Sequence, residues 1–114
     1  MNATSNTCSL SQRQCVPCQG GVPPLEETRI RELLPQLQGW TVVDGHHLTR
    51  TFVFPDFQQA LALVNRIGEL AEQEGHHPDI YLAWGKVRVD LWTHKIDGLT
   101  ESDFILAAKI DQLA

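Results

Sequence analysis

An α+β fold, with three helices on one face of a four-stranded antiparallel sheet in the order α-β-β-α-β-β-α, is what this sequence predicts. Apolar residues recur at three- and four-residue steps in three separate segments, and two pairs of alternating segments lie between them. Each pair is joined by a turn too short for a parallel crossover, so the strands within it run antiparallel. At 114 residues and 42% apolar content, the chain has the material for one domain and not for two.

The first helix is expected over Leu25 to Leu37, with Leu25, Ile30, Leu33, Leu34 and Leu37 between charges and an end near Leu34 to Leu37, where Pro35 is poorly tolerated. Trp40 to Val43 and Leu48 to Phe54 flank Asp44-Gly45, a dipeptide suited to a tight hairpin turn. In the second of these strands Leu48, Phe52 and Phe54 share a face that Arg50 interrupts, while His47, Thr49 and Thr51 point the other way. After Asp56, a candidate N-cap, the stripe Phe57, Ala60, Leu61, Val64, Ile67, Gly68 and Ala71 makes the longest helix, closed by Gly75. Leu63 and Leu70 fall off that stripe, and the surplus reads as an oligomer contact. Asp79 to Trp84 and Lys86 to His94 form the second strand pair, hinged at Gly85. Val87, Val89 and Leu91 face one side of the last strand; Arg88, Asp90, Trp92 and His94 face the other. Thr100 to Asp103 resembles a capping box that opens a helix burying Phe104, Ala107, Ala108 and Leu113. Phe52, Phe54 and Trp84 are expected in the core, with Trp40 undecided. Covering the free sheet face by oligomerisation is also expected.

A formal net charge of -5 argues against indiscriminate binding to nucleic acid or to an anionic membrane. No apolar run approaches the roughly 20 residues of a membrane helix, and Met1 to Ser11 lacks a basic and then apolar leader, so a cytoplasmic protein is expected. Cys8, Cys15 and Cys18 are odd in number and confined to one end, which excludes a fully paired framework. Residues 1–23 are therefore expected to be a flexible, reduced tail, with Gly20-Gly21-Val22-Pro23-Pro24 as the linker at its boundary with the folded domain over 24–114. Cys15 and Cys18 have the spacing of a metal knuckle or redox pair, but no second such pair and no nearby histidine completes a metal site.

Chemistry concentrates in Glu72-x-x-x-His76-His77-Pro78, Trp92-Thr93-His94 and Asp103. Glu72 and His76, four apart, would leave the helix end on the same side, whereas Pro78 biases His77 to an extended backbone, so the two imidazoles should diverge. Glu69, Glu72 and Glu74 crowd a helix C-terminus whose dipole disfavours anions, which points to something else holding acids there. Histidine as a side-chain type exchanges protons near neutral pH, and a neighbouring carboxylate fixes its tautomer, so the pattern reads as acid–base catalysis without a covalent step. A competing chemistry is hydrolysis at a zinc or iron ion held by Glu72, His76 and His94. His46 and His47 lack a carboxylate motif beyond Asp44 and are expected as exposed strand residues.

The same residues, with Trp84 and Gly98-Leu99-Thr100, resemble the signature of the pterin-4a-carbinolamine dehydratase family, over roughly Pro24 to the C-terminus. The resemblance implies the α+β fold already predicted, assembled as dimers or tetramers. It implies dehydration of a 4a-hydroxytetrahydropterin, left when an aromatic amino acid hydroxylase has used its pterin, to quinonoid dihydropterin. The family match assigns His76, His77 and His94 as catalytic residues. Glu72 and Asp103 are the matching carboxylates, with Glu72 orienting His76 or holding the pterin edge, and Trp92, Thr93 and Pro78 shape the pocket. No metal and no cofactor besides the pterin substrate is implied. A helix-mediated dimerisation or binding module is the alternative function.

Overall fold

The structure, a computed structural model, describes residues 10–15 and 23–114. Its elements are α1 (Glu27–Leu33), β1 (Thr41–Val43), β2 (His47–Val53), α2 (Phe57–Glu74), β3 (Asp79–Ala83), β4 (Lys86–Leu91) and α3 (Glu101–Asp111). The strands make one antiparallel sheet in the order β1-β2-β4-β3. The α-β-β-α-β-β-α order is the predicted one. Among the described residues no helix is long and apolar enough to cross a membrane.

Local chemistry accounts for most of the boundaries. Pro35 enters a 3-10 turn, Leu34–Gln36, that continues α1 without needing the missing N–H. Asp44 and Gly45 both have positive φ, 53° and 65°, and His46 N–H closes on Val43 carbonyl at 2.8 Å, the primed turn whose twist suits a hairpin. The Asp56 carboxylate caps α2 through Gln59 N–H at 2.8 Å, and Gly75 ends it in the left-handed region at φ 64°. β4 ends at Leu91, three residues short of the expected His94, because Thr93 bridges to Gly98 and His94–Ile96 coil into a 3-10 turn.

Register fixes which sheet face is buried. Leu82, Val87 and Phe52 lie in one row, Ile80, Val89 and Arg50 in the next, and Leu91, Leu48 and Val42 in a third. These rows join the helices in one apolar cluster, whereas Thr51, Arg88 and Tyr81 form an exposed row on the opposite face. Arg50, the break in the apolar pattern, lies over the Phe52 ring at 4.1 Å and ends on Asp111 Oδ1 at 2.5 Å. Asp111 also accepts from Trp40 Nε1 at 2.7 Å, so Trp40 is buried with its polar atom satisfied. Phe52 is buried and Phe54 half-buried, but Trp84 is 69% exposed beside the β3–β4 turn, contrary to expectation.

The apolar arc of α2 also needs correction. Ala60, Leu63, Ile67 and Ala71 are buried and Leu70 packs partly against the core, whereas Phe57 and Leu61 are exposed. Leu63 thus lies at the centre of the buried face, and the surplus is at Phe57 and Leu61, because the residues facing the sheet are 3, 4 and 4 apart from Ala60 onward. Helix α3 is buried almost all round, from Ser102 through Ala108 and again at Ile110. It packs against α2 and against a 3-10 turn, Leu10–Gln12.

That turn departs from the flexible tail expected over residues 1–23. Leu10 is 4% exposed in the core, Arg13 pairs with Glu101 at 2.9 Å, and Gln112 donates to Ser11 at 2.9 Å. Cys15 N–H donates to Glu74 at 3.0 Å and its thiol approaches the Ser102 carbonyl at 3.5 Å. The physical reason is that α3 has two apolar sides, and Leu10 to Cys15 cover the one that α2 does not. Cys8 and Cys18, and with Cys18 the expected pair geometry, lie outside the described residues. Burial, reinforced by the Glu74 carboxylate, pushes the Cys15 thiol up to about 12, which makes it a packing group and not a thiolate nucleophile.

Glu74 explains one of the acids at the end of α2. Its carboxylate accepts from Cys15 N–H and pairs with Lys109 at 3.3 Å, and the Cys15 hydrogen bond, with Lys109, holds its pKa below the ordinary value of 4.5. A depressed folded-state pKa contributes stability above the unfolded value that is lost as the pH falls through the folded one. Thermal melts of Glu74→Gln should therefore fall below wild type at pH 7, with the gap closing below about pH 4.5. A gap that persists unchanged at low pH would contradict this. In chemical denaturation, Leu63→Ala should cost about 2–5 kcal/mol and Leu61→Ala within about 0.5 kcal/mol. Equal losses would put the core face of α2 elsewhere.

Candidate active site

Two chain junctions converge: the corner from α2 into β3, and the connection from β4 to α3. At the first, Gly75 takes the left-handed conformation and His76 N–H bonds back to Ala71 carbonyl at 3.2 Å, so the chain leaves the helix axis before His76. This breaks the helical spacing from which Glu72 and His76 were expected to emerge together. Glu72 Oε2 meets His77 Nε2 at 2.5 Å instead, and His76 Nε2 meets Asp103 Oδ1 at 2.5 Å. The expected divergence of the two imidazoles is found, each ring on its own carboxylate.

Asp103 is wholly buried yet fully engaged. Beyond His76, its Oδ2 accepts from Thr93 Oγ1 and from Thr100 N–H, both at 2.9 Å. Thr100 and Asp103 form the reciprocal capping box that the sequence signals at the start of α3. A carboxylate can only accept, so His76 donates through Nε2–H and the neutral ring carries its lone pair on Nδ1. With its side chain 16% exposed, His76 is held on both counts; His77, at 61%, is bound to a carboxylate that is itself in solvent.

At the second junction the turn bearing His94 is closed by Thr93 N–H to Gly98 carbonyl at 2.8 Å. Gly98 is required there, since a Cβ would come within 2.8 Å of the Pro24 ring. His94 Nε2 lies 4.0 Å from Asp79 Oδ1, and its ring packs on Trp92 with 4.3 Å between centroids. A cleft of about 380 Å³ opens between the junctions, lined by residues 75–79 of the first and 93–95 of the second. His76, His77, Pro78, Thr93 and His94 all line it. Glu72, Asp103 and Trp92 are not in the lining: Glu72 and Asp103 bind the imidazoles of His77 and His76, and Trp92, expected to shape the pocket, packs on the His94 ring. Glu72, His76 and His94 do not gather around one point, and among the described residues no group of three or more His, Cys, Asp or Glu is placed to hold a metal ion.

Sequence reasoning missed His46, His47 and Asp97. The His46 and His47 rings are half-buried, not exposed, and touch Trp92, and His46 Nε2 meets Asp97 Oδ1 at 2.7 Å. The signal for this contact is the β2–β4 register, which pairs Leu48 with Leu91 and so directs His47 toward Trp92. A single strand read alone contains no such information.

Known proteins resemble this chain over nearly all of its length. The family described as pterin 4 alpha carbinolamine dehydratase matches residues 23–113, a span containing every cleft residue. A Rubrobacter xylanophilus protein provisionally named pterin-4-alpha-carbinolamine dehydratase is 58% identical over 104 residues, covering 91% of this chain and 97% of the relative. One from Rickettsia bellii with the same provisional name is 59% identical over 108 residues, covering 94% and 96%. The crystal structure of a transcriptional coactivator/pterin dehydratase from Brucella melitensis superposes with a TM-score of 0.75 at 38% identity, covering 80% of this chain and 98% of that one. A pterin dehydratase-like protein, identified as a RuBisCO assembly factor in the alpha-carboxysome, superposes at 0.58 with 25% identity, covering 68% and 90%. With the family model matching residues 23–113 and relatives more than 50% identical over nearly the whole chain, the chain belongs to the pterin 4 alpha carbinolamine dehydratase family.

Proposed function

We propose that this protein dehydrates a 4a-hydroxytetrahydropterin to the quinonoid dihydropterin by histidine acid–base catalysis. The observation that carries this reading is the His76–Asp103 pair, a half-buried imidazole on a buried carboxylate, on one side of a cleft whose other junction presents His94. In the reaction the N5 proton is removed, the C4a–oxygen bond breaks, its hydroxyl leaves as water after protonation, and the N5–C4a double bond forms. One group must take a proton and another must give one, close together and at near-neutral pH. His76, its Nε2–H fixed on Asp103, offers Nδ1 as the base. His94, facing Asp79, serves the hydroxyl as the acid. His77, with Glu72 behind it, binds the pterin, and Thr93 and Pro78 shape the cleft.

The chemistry needs only these side chains, with the pterin as substrate and no metal or second cofactor. The quinonoid product would return to an aromatic amino acid hydroxylase after a separate reductase, in the cytoplasm, with the protein assembled as a homodimer or homotetramer. A binding role is the second reading, favoured by the exposed Phe57 and Leu61 on α2 and by the assembly-factor description of one structural relative.

Stopped-flow ultraviolet spectroscopy on 4a-hydroxytetrahydropterin generated in situ, with metal chelator throughout, tests the reading. Wild type should accelerate dehydration, His76→Ala and His94→Ala should each lose about 10²-fold or more, and Asp103→Asn should lose activity by releasing the His76 tautomer. Wild type no faster than buffer, or a requirement for added metal, would overturn it. For the binding role the variant is Leu61→Glu, which should break an assembly seen by light scattering while leaving turnover intact; an unchanged assembly state counts against that role.

A further inference from the structure

The proposed chemistry leaves a second cluster unused, gathered at the Trp92 ring. His46, in the β1–β2 turn, holds Asp97 through Nε2 at 2.7 Å and faces Nδ1 of His47 through its own Nδ1 at 3.1 Å. Both rings lie against Trp92, at 5.3 and 5.7 Å between centroids, and Trp92 is 4.3 Å from the ring of His94. These are packing distances for aromatic rings. Asp97 directly follows the turn His94–Ile96, has φ 53°, and bonds through N–H to the His94 carbonyl at 3.2 Å. The turn that carries His94 is thus fastened to the first hairpin twice, once through the Trp92 ring and once through the Asp97 carboxylate.

Proton inventory orders the cluster. Asp97 accepts only, so His46 donates to it through Nε2–H; the neutral His46 ring then has a lone pair at Nδ1, which accepts from His47 Nδ1–H. Donation runs one way, from His47 to His46 to Asp97. His94 itself is 57% exposed on its side chain, and its approach to Asp79 at 4.0 Å is too long for a hydrogen bond. A ring so placed depends on packing behind it.

We propose that His46, acting through Asp97 and Trp92, is a positioning residue for His94, which makes the β1–β2 turn an outer support of the catalytic cleft. This rests on the dehydratase reading, since it is the proton transfer by His94 that the support serves. Small displacements of a reacting group have large effects on rate. His46 lies outside the cleft lining, so its loss should act on turnover and leave substrate binding alone.

The test combines steady-state kinetics with nitrogen–proton NMR of the histidine rings in wild type, His46→Ala, His46→Gln and Asp97→Asn. In wild type His46 should be the Nε2–H tautomer and His47 the Nδ1–H tautomer. His46→Ala should shift the His94 ring resonances and lower kcat about tenfold, with KM within about twofold, and His46→Gln, which keeps a donor for Asp97, should recover most of the rate. Unchanged His94 resonances in both His46→Ala and Asp97→Asn, or shifted resonances with unchanged kcat, would overturn the proposal. The ring spectra need no turnover. If wild type fails to accelerate dehydration, the dehydratase reading falls on the kinetics, while moving or unmoved His94 signals still decide whether His46 holds that ring.

Discussion

A buried carboxylate with every oxygen engaged is the constraint around which this molecule is arranged. Asp103 caps its own helix through Thr100 N–H, ties down Thr93 beyond the end of the last strand, and receives the imidazole of His76 from another junction. An unpaired charge at that depth would be costly, so the three elements that satisfy it are coupled through it. The group that starts α3 is for this reason also the group that sets the tautomer of His76, and neither role can be changed without the other.

Placement of the remaining groups follows from how the chain turns at its junctions. Gly75 diverts the backbone before His76, which lets adjacent histidines reach separate carboxylates and separates a held ring from an exposed one. The closed turn from Thr93 to Gly98 brings His94 to the same cleft from the other side. The proposed acid–base chemistry uses two proton-exchanging groups on one ring, and the fold brings His76 and His94 together from the entry to β3 and the exit of β4, which lie side by side at the open end of that strand pair.

Stability and site share material elsewhere. Leu10 to Cys15 cover a side of α3 that the helices and sheet leave open, and Glu74, at the end of the helix leading to His76, fastens that segment through the Cys15 N–H and Lys109. Of the acids crowding the end of α2, Glu72 and Glu74 each have a partner, His77 for one and Cys15 with Lys109 for the other. These contacts offset the unfavourable helix dipole locally.

What the sequence by itself determined was whatever depends on neighbours in the chain: the helical and alternating periods, the Asp44-Gly45 turn, the Asp56 and Thr100 caps, the stop at Gly75, and the motif that carries the family resemblance. Local backbone preferences act over a few residues, so these are legible without a partner segment. Tertiary structure decided the pairings. It gave Glu72 to His77 and Asp103 to His76, turned Leu63 inward and Trp84 outward, recruited Leu10 and Cys15, and joined His46 to Asp97 and to the Trp92 ring. Each of these depends on sheet register or on the direction of a chain leaving a turn, which is fixed by packing between segments distant in sequence.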